Sequence, residues 1–63
     1  MRKNIERALK EIRAELQQLK HDNDSQIHIC NCFGFKSNKF VEVRYQKKYF
    51  YNEAIMNITE LLE

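Results

Sequence analysis

Apolar residues in the first third of the chain fall at Ile5, Leu9, Ile12, Leu16 and Leu19, with spacings of four, three, four and three. That alternation places all five on one face of a helix. The residues between them are good helix formers without glycine or proline, and Glu6 with Lys10 makes an i,i+4 pair in the favourable orientation. The pattern predicts a helix from about Arg2 to Lys20. Lys20 and His21 suit a helix C-terminus and Asn23 suits a left-handed cap. Asp22-Asn23-Asp24-Ser25 then reads as a polar turn whose side chains bond to their own backbone.

From Gln26 the period changes to alternation, with Ile27 and Ile29 on one face and His28 and Cys30 on the other, which predicts a strand. Phe40 to Tyr45 alternates as well and sets Val41, Val43 and Tyr45 opposite Glu42 and Arg44. Lys36-Ser37-Asn38-Lys39 between the two runs is a polar hairpin loop. Matching the apolar faces pairs Phe33 with Val41 and Ile29 with Tyr45. That register leaves Asn31 among apolar neighbours and calls for a bulge near Asn31-Cys32 or a buried hydrogen bond, with Gly34, the single glycine, as a natural place for irregularity. The last segment has Asn52 as N-cap, Glu53 in the first turn, and Ile55, Ile58 and Leu62 at helical spacing. Tyr51 and Met56 would staple the entry to this helix, and Glu60 and Glu63 oppose its dipole.

The expected architecture is therefore α+β: a single αββα domain over residues 1–63, with a long N-terminal amphipathic helix, an antiparallel β-hairpin and a short C-terminal helix. A chain this short buries only about 60% of the surface it exposes when unfolded, and a two-stranded sheet is marginal alone. A homodimer is expected on that ground. The stripe Ile5, Leu9, Ile12, Leu16 and Leu19 is the candidate dimer or core face. As a heptad it puts Ile5, Ile12 and Leu19 at d and Leu9 and Leu16 at a, with Glu15 and Lys20 at g and the following e′ of a parallel pair.

The formal charge of +2 is unevenly spread. Residues 36–48 carry Lys36, Lys39, Arg44, Lys47 and Lys48 against Glu42 alone, whereas residues 49–63 carry Glu53, Glu60 and Glu63 and no basic residue. Within this region the segment 44–51 interleaves basic and aromatic side chains, the chemistry that neutralises phosphates and stacks bases. Against that, Tyr45 alternates with Val43 and should pack inward, and Lys47 and Lys48 can simply guard a strand edge.

Catalytic and metal chemistry find little support. His28, Cys30 and Cys32 form an H-x-C-x-C run, but strand residues two apart lie about 6.6–6.8 Å from one another, too far to converge on a zinc ion bound at about 2.0–2.3 Å. The same spacing strains a Cys30–Cys32 disulfide. Asp22-Asn23-Asp24 lacks the glycine and glutamate of a calcium loop. Asn57-Ile58-Thr59 matches a glycosylation sequon but falls in a predicted helix. Ser25 and Ser37 sit outside any nucleophile elbow, one glycine cannot build a phosphate loop, and two histidines do not establish a general base. No catalytic residue, cofactor, metal or small-molecule substrate is expected.

Met1 to Arg7 lacks the apolar core of a signal peptide, and no apolar run approaches the roughly 18 residues that span a bilayer. A cytoplasmic protein away from the membrane is the expectation. The sequence reads as a non-catalytic interaction or regulatory protein, a homodimer that binds another macromolecule, protein in preference to nucleic acid. Its candidate partner-binding residues are Phe40, Glu42, Arg44, Lys47 and Lys48.

Overall fold

A computed structural model describes residues 2–34 and 39–63 as two helices, α1 (Lys3–Cys32) and α2 (Lys39–Leu62), folded back against each other as a hairpin. Among the described residues there is no strand. The α+β expectation is thus overturned: the predicted β-hairpin is helical on both sides, α1 runs through the predicted turn and first strand, and α2 begins well before Asn52. The predicted loop residues 36–38 lie outside the described residues, and Lys39 is the first residue of α2.

The correction has a physical cause in the seam between the helices. The seam runs along Leu9, Arg13, Leu16, Lys20, Asn23, Ile27 and Cys30 on α1 and along Val41, Arg44, Lys48, Tyr51, Ile55, Ile58 and Leu62 on α2, with Glu6, Asp24, Ala54 and Thr59 half-buried beside it. Both sets alternate steps of three and four without a break, the repeat that keeps one helix stripe facing a partner helix. Glu6, Arg13, Lys20 and Ile27 take position a of this heptad and Leu9, Leu16, Asn23 and Cys30 take d. On α2, Val41, Lys48, Ile55 and Leu62 are a, and Arg44, Tyr51 and Ile58 are d. Polar residues at Arg13, Lys20, Asn23, Arg44 and Lys48 break the apolar pattern, so the repeat is invisible to a hydrophobicity count. The short alternations at Ile27–Ile29 and Val41–Tyr45 stand out instead.

Three of the four residues of the predicted turn, Asp22, Asn23 and Ser25, are absorbed into the helix by specific bonds. Gln18 Nε2 donates to Asp22 Oδ1 at 3.1 Å, and Ser25 Oγ donates to the His21 carbonyl at 3.1 Å. Asn23 reaches across the seam, its Nδ2 donating to the Arg44 carbonyl at 2.8 Å. Side chains that favour turns by bonding to their own backbone are thereby engaged without interrupting the helix.

The helix instead ends at the glycine. Phe33 N–H donates to the Ile29 carbonyl at 3.1 Å and Gly34 N–H to the Asn31 carbonyl at 3.2 Å, with Gly34 at φ +78°. This is a left-handed cap, the commonest way a helix stops, and not the strand irregularity expected at Gly34. Open space surrounds the position where a Cβ would sit, so the glycine is required by its backbone conformation alone.

The hairpin is long and thin, 47 × 14 × 14 Å. Its radius of gyration is 14.5 Å, where a compact domain of this length has about 11 Å. Ile27, Cys30 and Val41 are the buried apolar residues among those described, all at the loop end, and Val41 is 2% exposed. Toward the termini the seam is only half-buried. The Glu6–Lys10 pair forms as the sequence suggests, at 3.2 Å with both side chains about half exposed, where such pairs stabilise little.

Because Gly34 occupies a conformation that other residues adopt at a cost, Gly34→Ala should lower stability by roughly 1 kcal/mol. A shift of the urea midpoint to lower concentration checks this; an unchanged midpoint would mean that α1 does not terminate there.

Candidate interaction surface

In a helix, residues that a strand would align are spread around the axis, and the predicted partner-binding set divides accordingly. Phe40 and Arg44, one turn apart, come together: the guanidinium lies 4.5 Å from the ring centre, a cation–π geometry. Arg44 and Lys48 turn toward α1 and are half-buried, whereas Phe40, Glu42 and Lys47 are exposed. Glu42 sits on the far side of α2 from Phe40, so the five residues do not form one surface. The basic-aromatic segment 44–51 also wraps around the helix. Tyr49 and Phe50 are 70% and 65% exposed, Tyr45 is exposed as well, and Tyr51 packs in the seam. Lys47 is the one cation of this segment that faces fully outward.

The stripe on α1 is divided as well. Leu9 and Leu16 occupy d positions and are half-buried against α2, but Ile5, Ile12 and Leu19 fall at g and stay nearly half exposed, at 46–49%. The seam therefore covers one edge of the stripe and leaves the other open.

Two antiparallel helices packed through a and d bring both e rows to one side of the hairpin and both g rows to the other. The polar side shows this directly, because a shallow groove there is lined by Gln17, Asp24 and Asn52, all at e, together with Lys20, His21 and Ile55. Arg13 Nη1 donates to Thr59 Oγ1 across the same side at 3.3 Å, and Thr59 Oγ1 donates in turn to the Ile55 carbonyl at 2.8 Å. The opposite side is apolar. Its g row holds Ile5, Ile12 and Leu19 on α1, continued by Phe33 at the C-cap, and Phe40, Ala54 and Leu61 on α2, and the neighbouring c row adds Ala8, Ile29, Val43 and Phe50. Of the twelve large apolar residues exposed among those described, nine lie at g or c; Tyr45, Tyr49 and Met56 are the other three. A random spread over the five outward heptad positions would put about five there, so the exposed apolar surface is concentrated on one side.

The seam has its own polar centre. Asn23 is 3% exposed and its bond to the Arg44 carbonyl joins the helices at one height, while Asn23 Oδ1, Asp24 Oδ1 and Arg44 Nε are buried there without a hydrogen-bond partner among the described residues. An asparagine in an otherwise apolar heptad row specifies register at some cost in stability.

The H-x-C-x-C run is also rearranged. The strand geometry that kept the three groups apart does not apply. Cys30 is buried in the seam, whereas His28 and Cys32, one helical turn apart, share the exposed face with Nε2 and Sγ 3.6 Å apart. Both cysteines are free thiols. Among the described residues, no three His, Cys, Asp or Glu side chains are placed to hold a metal ion together. A second groove, along the first turns of α1, is lined by Lys3, Glu6, Arg7, Lys10, Glu11 and Ala14. No described helix is long and apolar enough to cross a membrane.

Neither protein-family models nor the curated proteins and solved structures searched give a match to this chain. Its fold class is that of a two-helix antiparallel hairpin, on the geometry alone.

The buried asparagine could not be recognised from composition, since it lies in a run of turn-forming residues; only its place in the three-four repeat marks it. Asn23→Ala should cost about 0.5–1.5 kcal/mol, from the lost bond to the Arg44 carbonyl. Gln17→Ala on the exposed side should stay within about 0.5 kcal/mol of the parent. Urea unfolding of the two variants measures the contrast, and equal midpoints would remove Asn23 from the account.

Proposed function

We propose that this chain is a non-catalytic interaction element, a helical hairpin that works as a homodimer and binds another macromolecule through its helix surfaces, protein in preference to nucleic acid. The observation that carries this reading is the inverted distribution of apolar residues. Among the described residues three apolar side chains are buried, whereas twelve large ones are exposed, most of them on a single side. Concentrated apolar surface of this kind marks contact sites.

Several features support the absence of catalysis. The two grooves are shallow, open and lined by helix-surface side chains. His28 and Cys32 pair a thiol with an imidazole, but they lie on the exposed face of one helix and line neither groove. A working nucleophile is ordinarily paired with a base that a third group orients inside a pocket. The free thiols Cys30 and Cys32 fit a reducing, cytoplasmic setting.

Nucleic-acid binding is the second reading, and the exposure of Tyr45, Tyr49 and Phe50 is the observation in its favour. Those rings lack a basic groove around them, since Arg44 and Lys48 turn to the seam. Phosphate binding releases counterions, so a dimer touching about six phosphates would lose on the order of 10³ in affinity between about 50 and 200 mM salt. Fluorescence anisotropy against duplex DNA, single-stranded DNA and structured RNA should show weak, sequence-independent binding at most. Submicromolar affinity at physiological salt, abolished by Lys47→Glu while helicity is retained, would replace protein by nucleic acid as the partner class.

A further inference from the structure

The apolar side of the hairpin follows the same three-four repeat as the seam, displaced by one heptad position on each helix. Such periodicity matches another helix laid along it, because ridges and grooves at this spacing interdigitate over their whole length. A flat membrane or a small ligand has no use for it. The occupant is therefore helical and of comparable length.

We infer that the g/c side is a homotypic interface, on which two copies of the hairpin pack face to face as a four-helix bundle. This rests on the protein-binding reading and names the first partner as a second copy of the chain. The charges on the face say why. Among the described g and c positions the ionic residues are Glu15 and Asp22 on α1 and Lys47 on α2. Acid is thus confined to one helix and base to the other, and the bond from Asn23 to the Arg44 carbonyl puts Asp22 and Lys47 within about a turn of the same height. Bringing α1 of one copy onto α2 of the next sets each Lys47 against carboxylates, and a twofold axis does this twice.

The area agrees. The hairpin exposes 5146 Å², whereas a compact monomer of its mass exposes about 4,300 Å². The excess of roughly 800 Å² equals what one partner contributes to a standard protein interface. Pairing also reunites the divided stripe. Leu9 and Leu16, half-covered by α2, and Ile12 and Leu19, left open, all point between the seam and the g/c side, which is the direction of a bundle axis.

Sedimentation equilibrium of the full chain at micromolar concentration should report twice the chain mass. Ile12→Asp with Leu19→Asp should give a helical monomer. Tyr49→Gln with Met56→Gln, off the face, should leave the dimer intact. Since the first pair of substitutions can also unsettle the hairpin, charge exchange gives the cleaner reading. Lys47→Glu should weaken self-association by about tenfold. Mixed with a chain carrying Glu15→Lys and Asp22→Lys, it should form the heterodimer in preference to either homodimer.

A monomeric parent, a dimer lost only through Tyr49 and Met56, or charge variants that show no preference for each other would overturn the inference. A monomer that ignores nucleic acid would end it while leaving a protein partner in place. A dimer on this face that binds nucleic acid tightly would uphold it and overturn the protein-binding reading.

Discussion

The a/d seam holds the two helices together, and the direction of every other side chain follows from it. The seam starts as a four-three repeat on α1 and returns as the same repeat on α2. With a and d committed to the partner helix, the e rows are left to form the polar side and the g rows the apolar side. Asn23, bonded to the Arg44 carbonyl in the best-buried stretch, holds the helices at one height.

The same seam is a weak one. Arg13, Lys20, Arg44 and Lys48 occupy it, and Glu6 is the acid at its open end. Long charged side chains cover less apolar surface than aliphatic ones would, and the terminal half of the hairpin is only half-buried. A chain of this size has little core to spare. A cationic seam alongside a broad apolar side is the arrangement expected of a part that completes its core by association, as repeat and bundle elements do when an isolated unit cannot cover its own apolar face.

The sequence was legible where propensity and hydrophobic period agreed. The start of α1, the Glu6–Lys10 pair and the absence of a run that could span a membrane were all read from residues that behave as their types suggest. It misled where the two conflicted. Residues Ile27 to Cys32 and Phe40 to Tyr45 are rich in β-branched, aromatic and cysteine side chains that favour strands, and their alternation is too short to distinguish a strand from a buried helical stretch. The helical signal lies in the spacing of Asn23, Ile27 and Cys30 and of Val41, Arg44, Lys48 and Tyr51, where polar side chains share the repeat with apolar ones. Gly34 was noticed for its rarity; its role as a helix cap depends on a helix continuing that far. Dividing the α1 stripe between seam and surface likewise requires the position of α2, which no local pattern supplies.

The account stands on those two stretches being helical and facing each other. Backbone chemical shifts for residues 23–32 and 41–48 test it most directly, since carbonyl and Cα shifts move in opposite directions for helix and strand. Helical shifts throughout both stretches, with cross-seam contacts between Asn23 and Arg44, are the predicted result. Extended shifts at Ile27–Cys30 and Val41–Tyr45, with cross-strand contacts pairing Ile29 with Tyr45, would contradict the seam and everything placed by it.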